Sequence, residues 1–145
     1  MHYPPLTITF LGTGTSSGVP MIACNCAVCS SADKKDNRLR SSIMVQSSNT
    51  TLVVDTTPDF RFQMLRSKVK KLDAVIFTHP HKDHTAGLDD VKAFNYFGNA
   101  AVQVYANELT QKALKNEFYY VFTKEKYPGI PEGVFVAYKI RMFGI

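Results

Sequence analysis

The feature that most constrains this chain is a short apolar segment followed at once by polar side chains that can bind metals. Residues 72–77 (LDAVIF) are rich in strand formers and predict a buried β-strand. Residues 78–84 (THPHKDH) follow directly and contain three of the four histidines of the chain. This order places a group of metal-binding side chains at the end of a core strand.

The spacing within this group suits a pair of metal ions. Pro80 favours an extended backbone at His79, and in an extended segment residues two apart project to the same side. His79 and His81 are therefore predicted to hold one ion together. Asp83 and His84 follow where a helix is expected to begin, so their side chains are predicted to reach an adjoining ion.

The donor types indicate which metal would bind. Neutral imidazole and carboxylate suit Zn²⁺ best, and Mn²⁺ or Fe is compatible with the same donors. Two such ions ~4 Å apart would activate a water molecule and neutralise charge on a phosphoryl or acyl oxygen. The alternative is that the histidines lie on an exposed polar loop and bind nothing. For a single histidine that alternative is favoured, but H-x-H-x-D-H directly after a buried strand argues against it.

The rest of the sequence predicts one α/β unit. Helices are expected from Thr57, as N-cap, to about Ser67, over residues 87–97, and after the N-cap Asn107. The first strand alternates apolar and polar residues up to Gly12, which predicts one buried face. No repeat or linker divides the chain, so residues 1–145 are predicted to belong to a single domain. The predicted strands are 6–11, 42–46, 51–55, 72–77, 102–105, 134–138 and 140–143.

Composition limits the partners and the compartment. The net charge of +5 is a weak indication of anionic substrates and does not identify a nucleic-acid binder. No apolar run approaches the ~20 residues of a membrane helix, and the first residues lack signal-peptide character. A cytoplasmic protein without a membrane partner is therefore expected. The three cysteines, Cys24, Cys26 and Cys29, are odd in number and closely spaced, which favours metal binding over disulfides.

The histidine motif resembles the signature of the metallo-β-lactamase superfamily. His79, His81, Asp83 and His84 match H-x-H-x-D-H without a substitution. Asp55, at the end of an upstream strand, resembles the earlier acidic motif of that superfamily. The resemblance implies that Asp55 supports the metal loop by hydrogen bonding rather than by ligation.

Further segments resemble one branch of this superfamily, which contains the cyclic phosphodiesterase of the carbon–phosphorus lyase pathway. The resemblance extends to about Asn95, and the segments are residues 10–16 and 18–20, the C-x-C-x₂-C cluster, residues 40–42 and residues 87–95. It implies a four-layer αβ/βα sandwich and hydrolysis of a small, in some cases cyclic, phosphodiester by a water activated by two metals, with Asp83 in a catalytic role. It also implies a third, structural zinc on Cys24, Cys26 and Cys29. Free thiols in a loop are the alternative.

The pattern is incomplete in this chain. The resemblance implies that later residues complete both the two-metal site and the cysteine site, whereas this chain has no histidine after His84. Nothing in the sequence positions His2 as the missing ligand of the cysteine site. Only the N-terminal half of the fold is therefore expected, completed by a missing C-terminal half or by a homodimer, with weak metal binding and little turnover by itself. The other functions considered are a tRNA 3′-processing nuclease, which the absence of a basic arm disfavours, and a non-catalytic metal-binding module.

Overall fold

The computed structural model describes residues 5–98, 100–122 and 139–141, the last three as backbone only. A six-stranded sheet runs through them in the order β1-β2-β3-β4-β5-β6, antiparallel from β1 to β3 and parallel from β3 to β6. The strands are β1 (Thr7–Gly12), β2 (Ser42–Gln46), β3 (Thr51–Val54), β4 (Ala74–Ile76), β5 (Gln103–Tyr105) and β6 (Lys139–Arg141). The α-helices are α1 (Phe60–Arg66), α2 (Lys82–Thr85), α3 (Lys92–Phe97), α4 (Glu108–Glu117) and α5 (Tyr119–Phe122). Short 3₁₀ helices lie at Lys34–Asp36 and Ala86–Val91.

The core lies on one face of the sheet. Met44, Val53, Val75 and Val104 are paired in register across β2, β3, β4 and β5, and each is buried. Side chains from the helical segments, including Phe60, Leu88 and Leu114, are buried in the same cluster. The connections after the parallel strands thus supply the layer that covers this face, as expected for an α/β fold.

The opposite face of the sheet is apolar and open in the described part of the chain. Leu6, which precedes β1, and Ile8 and Phe10 within β1 have exposed fractions of 67%, 59% and 69%. Strand β1 is confirmed, but the prediction that its apolar alternation marks a buried face is wrong for these residues. The reason is that the buried apolar side chains of α1, α4, α5 and the Ala86–Val91 segment all lie in the core on the other face, where Leu11 is fully buried.

The predicted helix boundaries need two corrections. The residue before α1 is Asp59 rather than Thr57, because Thr57 instead forms a turn in which its hydroxyl accepts a hydrogen bond from the Asp59 amide at 3.1 Å. The helix expected over residues 87–97 is divided into the 3₁₀ segment Ala86–Val91 and α3. The predicted cap of α4 is confirmed, since the Asn107 side chain accepts from the Thr110 amide at 2.8 Å.

Two sequence predictions fall partly or wholly outside the described residues. The strand predicted over 134–138 lies outside them, and the one over 140–143 overlaps the backbone of β6. Among the helices that can be described, none has the length and apolar character needed to cross a membrane. The assignment of residues 1–145 to a single domain stays a prediction.

Gly87 brings the segment after the histidine motif against the turn that follows β3. Its amide donates to the Thr56 carbonyl at 2.9 Å. A Cβ at this position would lie 2.3 Å from the Thr57 carbonyl oxygen and 2.5 Å from Cβ of Phe60. No side chain fits at these distances, so glycine is required for the close approach.

We expect Gly87→Ala to lower the free energy of unfolding by about 1–3 kcal/mol, because the added methyl group displaces backbone in a packed region. Urea denaturation of the metal-free chain measures the change. Ala93→Ser is the matched control: it also adds one heavy atom, but at an exposed helical position, where the change should stay within about 0.5 kcal/mol. Equal stability of the Gly87→Ala variant and the wild type would contradict the packing described.

Candidate metal centre

The site lies at the carboxyl ends of two neighbouring parallel strands. Val54 of β3 pairs with Ile76 of β4, so the chain leaves both strands side by side. Asp55 follows β3 immediately, and its amide donates to the Ile76 carbonyl at 2.9 Å. Thr78 and His79 follow β4 after one more residue. Parallel pairing therefore brings the upstream carboxylate and the start of the histidine motif together, as carboxyl ends of parallel strands commonly do in binding sites.

Asp55 is the buried centre of this arrangement, with 4% of its surface exposed. Its Oδ1 accepts from the Thr78 amide at 2.9 Å. Its Oδ2 accepts from the Thr78 hydroxyl at 2.8 Å and lies 2.8 Å from Nδ1 of His84. The backbone of Asp55 is left-handed, with φ of 63°, a conformation that costs an L-residue about 1–2 kcal/mol. The hydrogen bonds to the carboxylate offset that cost.

His84 is held so that one ring nitrogen faces Asp55 and the other faces Asp83. With the proton on Nδ1 directed at Asp55, Nε2 carries a lone pair, and Nε2 lies 3.1 Å from Oδ2 of Asp83. Two acceptors at that distance repel each other unless a proton or a metal cation lies between them. Two ligands that are each about 2.0–2.1 Å from an ion are also about 3 Å apart, so Asp83 and His84 fit a divalent metal.

The other two histidines of the motif lie beside His84. The ring centroid of His79 is 4.6 Å from that of His81 and 4.0 Å from that of His84. His81 has an extended backbone and precedes α2, whose first turn carries Asp83 and His84. The extended segment and the following helix turn thus place the ring of His79 beside those of His81 and His84.

A cleft of about 330 Å³ opens beside this cluster. Its polar wall includes Thr13, Ser41, Asp55 and His84, whereas its apolar wall comes from the open face of the sheet; the lining residues are Phe10, Gly12, Thr13, Ser41, Ser42, Ile43, Val54, Asp55 and His84. The loop after β1 is fixed at this cleft because Arg38 donates to the Thr13 hydroxyl at 2.9 Å. A small polar molecule in the cleft would contact His84 directly.

The cysteine cluster is a separate group of potential ligands. One ligand atom from each of Cys24, Cys26 and Cys29 lies within 4.8 Å of the others. In a tetrahedral zinc site with Zn–S bonds of about 2.3 Å, the sulphur atoms are about 3.8 Å apart, so small side-chain movements would bring the three together on one ion. His2, which nothing in the sequence positions as a fourth ligand, lies outside the described residues.

The pKa values of Cys26 and Cys29 shift in opposite directions within this cluster. The backbone N–H of Cys29 donates to the Cys26 sulphur, and with the neighbouring thiols it lowers the pKa of Cys26 to about 7. The Met21 amide works to lower the pKa of Cys29, but the Cys24 thiol and burial raise it above its usual value. Cys26 is therefore the thiol of this pair that is present as a thiolate near neutral pH.

Sequence reasoning missed two residues that hold the histidine cluster. Thr78 bonds both Asp55 and Nδ1 of His79, the latter at 2.9 Å. Lys82, inside the motif, forms an ion pair with Glu117 at the end of α4 and so connects α4 to residues 78–84. The hydroxyl next to the first histidine was a signal for Thr78, whereas no sequence signal links Lys82 with Glu117.

Comparisons with known proteins place these observations in a wider context. A family model described as a β-lactamase superfamily domain matches residues 50–139. An octanoyltransferase of Porphyromonas gingivalis is 41% identical over 122 residues, which make up 83% of this chain and 24% of that protein. The crystal structure of a new diphosphatase from the PhnP family has a TM-score of 0.83 and 43% identity, over 97% of this chain and 51% of that one.

A more distant solved structure shares the fold alone. Zn²⁺-bound PqqB from Methylobacterium extorquens has a TM-score of 0.70 at 22% identity, over 95% of this chain and 46% of that one. The chain therefore spans about half the length of the solved structures and about a quarter of the curated relative.

We expect Asp55→Asn to lower the free energy of unfolding of the metal-free chain by about 1–3 kcal/mol. Asparagine keeps the shape of aspartate and tolerates the left-handed backbone. Its NH₂ group, however, is a donor, and it would face hydrogen-bond donors that in the wild type are bound by a carboxylate oxygen. Urea denaturation in the presence of a chelator measures the loss. Asp90→Asn, at an exposed position, should change stability by less than about 0.5 kcal/mol. If both variants unfold like the wild type, Asp55 does not organise the site.

Proposed function

The chain belongs to the β-lactamase superfamily, and on that premise we propose that it carries metal ligands of a hydrolase that cleaves a small phosphodiester. The predicted α/β fold of the metallo-β-lactamase type is confirmed by the family match and by the diphosphatase structure, of which the chain covers 51%. The observation that carries the proposal is the position of Nε2 of His84 at 3.1 Å from Oδ2 of Asp83, a geometry that a divalent cation bound by both atoms would satisfy.

The proposed ligands fall into two pairs. His79 and His81 hold one divalent ion, and Asp83 and His84 hold the second, with zinc favoured by the imidazole-rich set and Mn²⁺ or Fe as alternatives. Two ions held there would supply Lewis acidity that favours hydrolysis at a phosphoryl group. The described donors supply two protein ligands for each ion, fewer than the four positions of a zinc site.

The protein groups around the ions have distinct tasks. We assign Asp83 a catalytic role, in which its carboxylate would orient the attacking water and accept its proton. Asp55 stays behind His84, where its buried carboxylate fixes the ring and increases the donor strength of Nε2. The cleft beside His84 admits the substrate, and its Thr13 and Ser41 side chains line the polar wall.

The substrate class rests on the relative with a solved structure. At 43% identity, the diphosphatase from the PhnP family supports cleavage of a phosphorus–oxygen bond and makes an organic diphosphate the second candidate substrate. A tRNA-processing nuclease is disfavoured, since no basic arm accompanies the site in this sequence. Acyl transfer is not proposed, because the match to the octanoyltransferase covers 24% of that protein.

The cysteine cluster is proposed as a third, structural zinc site. Its three ligand atoms lie within 4.8 Å of one another, and Cys26 offers a thiolate near neutral pH. An ion here would fix the loop that runs from β1 to the Lys34–Asp36 helix. A metal-free cluster of thiols is the alternative.

Zinc binding and hydrolysis by the 145-residue chain test the proposed function. We expect weak zinc binding at the histidine cluster. Loss of a residue that only hydrogen-bonds a metal ligand lowers metal affinity about 10–100-fold, so loss of a ligand in His81→Ala should lower the zinc affinity by at least that factor. Lys112→Ala, the control truncation at an exposed position outside the motif, should bind zinc like the wild type. Titration calorimetry gives the affinity and elemental analysis gives the zinc content per chain.

Activity assays then separate the candidate functions. Zinc-dependent turnover of bis(p-nitrophenyl) phosphate above that of an organic diphosphate supports the phosphodiesterase, and the reverse order supports the diphosphatase. Bound zinc with turnover of neither compound favours a metal-binding module in this chain. Failure to bind zinc at the histidines contradicts the proposal.

The cysteine site has its own test in the metal-free chain. Since the pKa of Cys26 is lowered to about 7, we expect its alkylation by iodoacetamide to decline as the pH falls through 7 rather than through 9.0, the usual value. Mass spectrometry of peptides identifies the modified residue. Zinc should protect all three cysteines, and Cys26→Ser should remove one zinc per chain. Equal alkylation with and without zinc would refute the structural site.

A further inference from the structure

The Thr78 hydroxyl lies between Asp55 and His79. Its oxygen is 2.8 Å from Oδ2 of Asp55 and 2.9 Å from Nδ1 of His79. A hydroxyl has a single proton to donate, so it can donate to only one of these two neighbours and must accept from the other. The direction of these hydrogen bonds therefore decides which nitrogen of His79 carries a proton.

The carboxylate determines that direction. Asp55 is an acceptor for the Thr78 amide and faces Nδ1 of His84, and its oxygens have no proton to give. If the hydroxyl donated to His79 instead, two oxygen lone pairs would face each other at 2.8 Å. The hydroxyl thus donates to Asp55 and accepts from Nδ1–H of His79.

The consequence lies on the far side of the His79 ring. A neutral imidazole with its proton on Nδ1 has its lone pair on Nε2, which is then the nitrogen available to a metal ion. Asp55 sets the same tautomer in His84, directly rather than through a hydroxyl. One buried carboxylate therefore selects the ligand nitrogen of two histidines, and Thr78 is the connection to the first.

We propose that Thr78 is a positioning residue that holds His79 in its Nδ1–H tautomer and so presents Nε2 to the metal. This inference rests on the proposed function only for the identity of the bound ion. The two hydrogen bonds of the Thr78 hydroxyl, to Asp55 and to His79, are called the hydroxyl relay, and they are present without metal. Thr78 is exposed, so the relay contributes to ligand orientation more than to the stability of the fold.

Thr78→Val and Thr78→Ser are the variants that test this role. Valine has the shape of threonine without the hydroxyl, whereas serine keeps the hydroxyl, and both retain the amide that donates to Asp55. In ¹⁵N-labelled, metal-free protein at about pH 8, where an ordinary histidine is neutral, NMR of the ring nitrogens reports the tautomer. His84 is the internal control, because its bond to Asp55 does not involve Thr78.

The expected result is specific to one ring. His79 should be in the Nδ1–H form in the wild type and Thr78→Ser, and should lose that preference in Thr78→Val, while His84 is unchanged in all three. Zinc affinity at the histidine cluster should fall about 10–100-fold in Thr78→Val and recover in Thr78→Ser.

Two results would overturn the inference. One is a His79 tautomer that is the same in Thr78→Val and the wild type, and the other is zinc affinity unaffected by the loss of the hydroxyl. If the wild type binds no zinc at its histidines, the proposed metal site fails, and the tautomers still decide whether Thr78 controls His79. A shift of His84 in Thr78→Val would show a general disturbance of the loop and would also contradict a specific role.

Discussion

The carboxylate of Asp55 is the contact on which the site depends. It joins the end of β3 to the residue that follows the apolar run of β4 and to His84 in α2, through hydrogen bonds of 2.8–2.9 Å. Because Asp55 is buried, water does not compete strongly for its oxygens, and each donor it holds would be costly to leave unpaired. The left-handed backbone at Asp55 turns the carboxylate towards these donors and is tolerated because they satisfy it.

The rest of the fold brings the partners of Asp55 within reach. Parallel pairing of β3 with β4 sets the ends of the two strands side by side. Gly87 then lets the chain after the motif approach the Thr56 and Thr57 backbone more closely than any side chain would allow. The ion pair of Lys82 with Glu117 joins the same loop to α4. Residues 78–84 are therefore held both to the sheet and to α4 without any ion.

The closeness of the histidine rings could be predicted from the sequence because the information for it is local. His79, His81 and His84 are close in the chain, and an extended segment followed by a helix turn is enough to bring their rings together. The strand pattern also identified β2 to β5. The burial of β1 could not be predicted, because alternation shows that Ile8 and Phe10 share a face but not which layer covers that face. The Thr78 relay needs the position of Asp55, which only tertiary structure provides.

The open apolar face and the metal donors meet at one edge of the sheet. Phe10 and Val54 line the same cleft as Asp55 and His84. Burial of exposed apolar surface yields roughly 25 cal/mol per Å², so this face favours contact with another apolar layer. Any layer that packs on Phe10 and Val54 also comes within reach of the proposed donors, and the proposed ions would still have coordination positions for further ligands. The requirement for a covered face and the requirement for a complete metal site would thus be met by the same packing event.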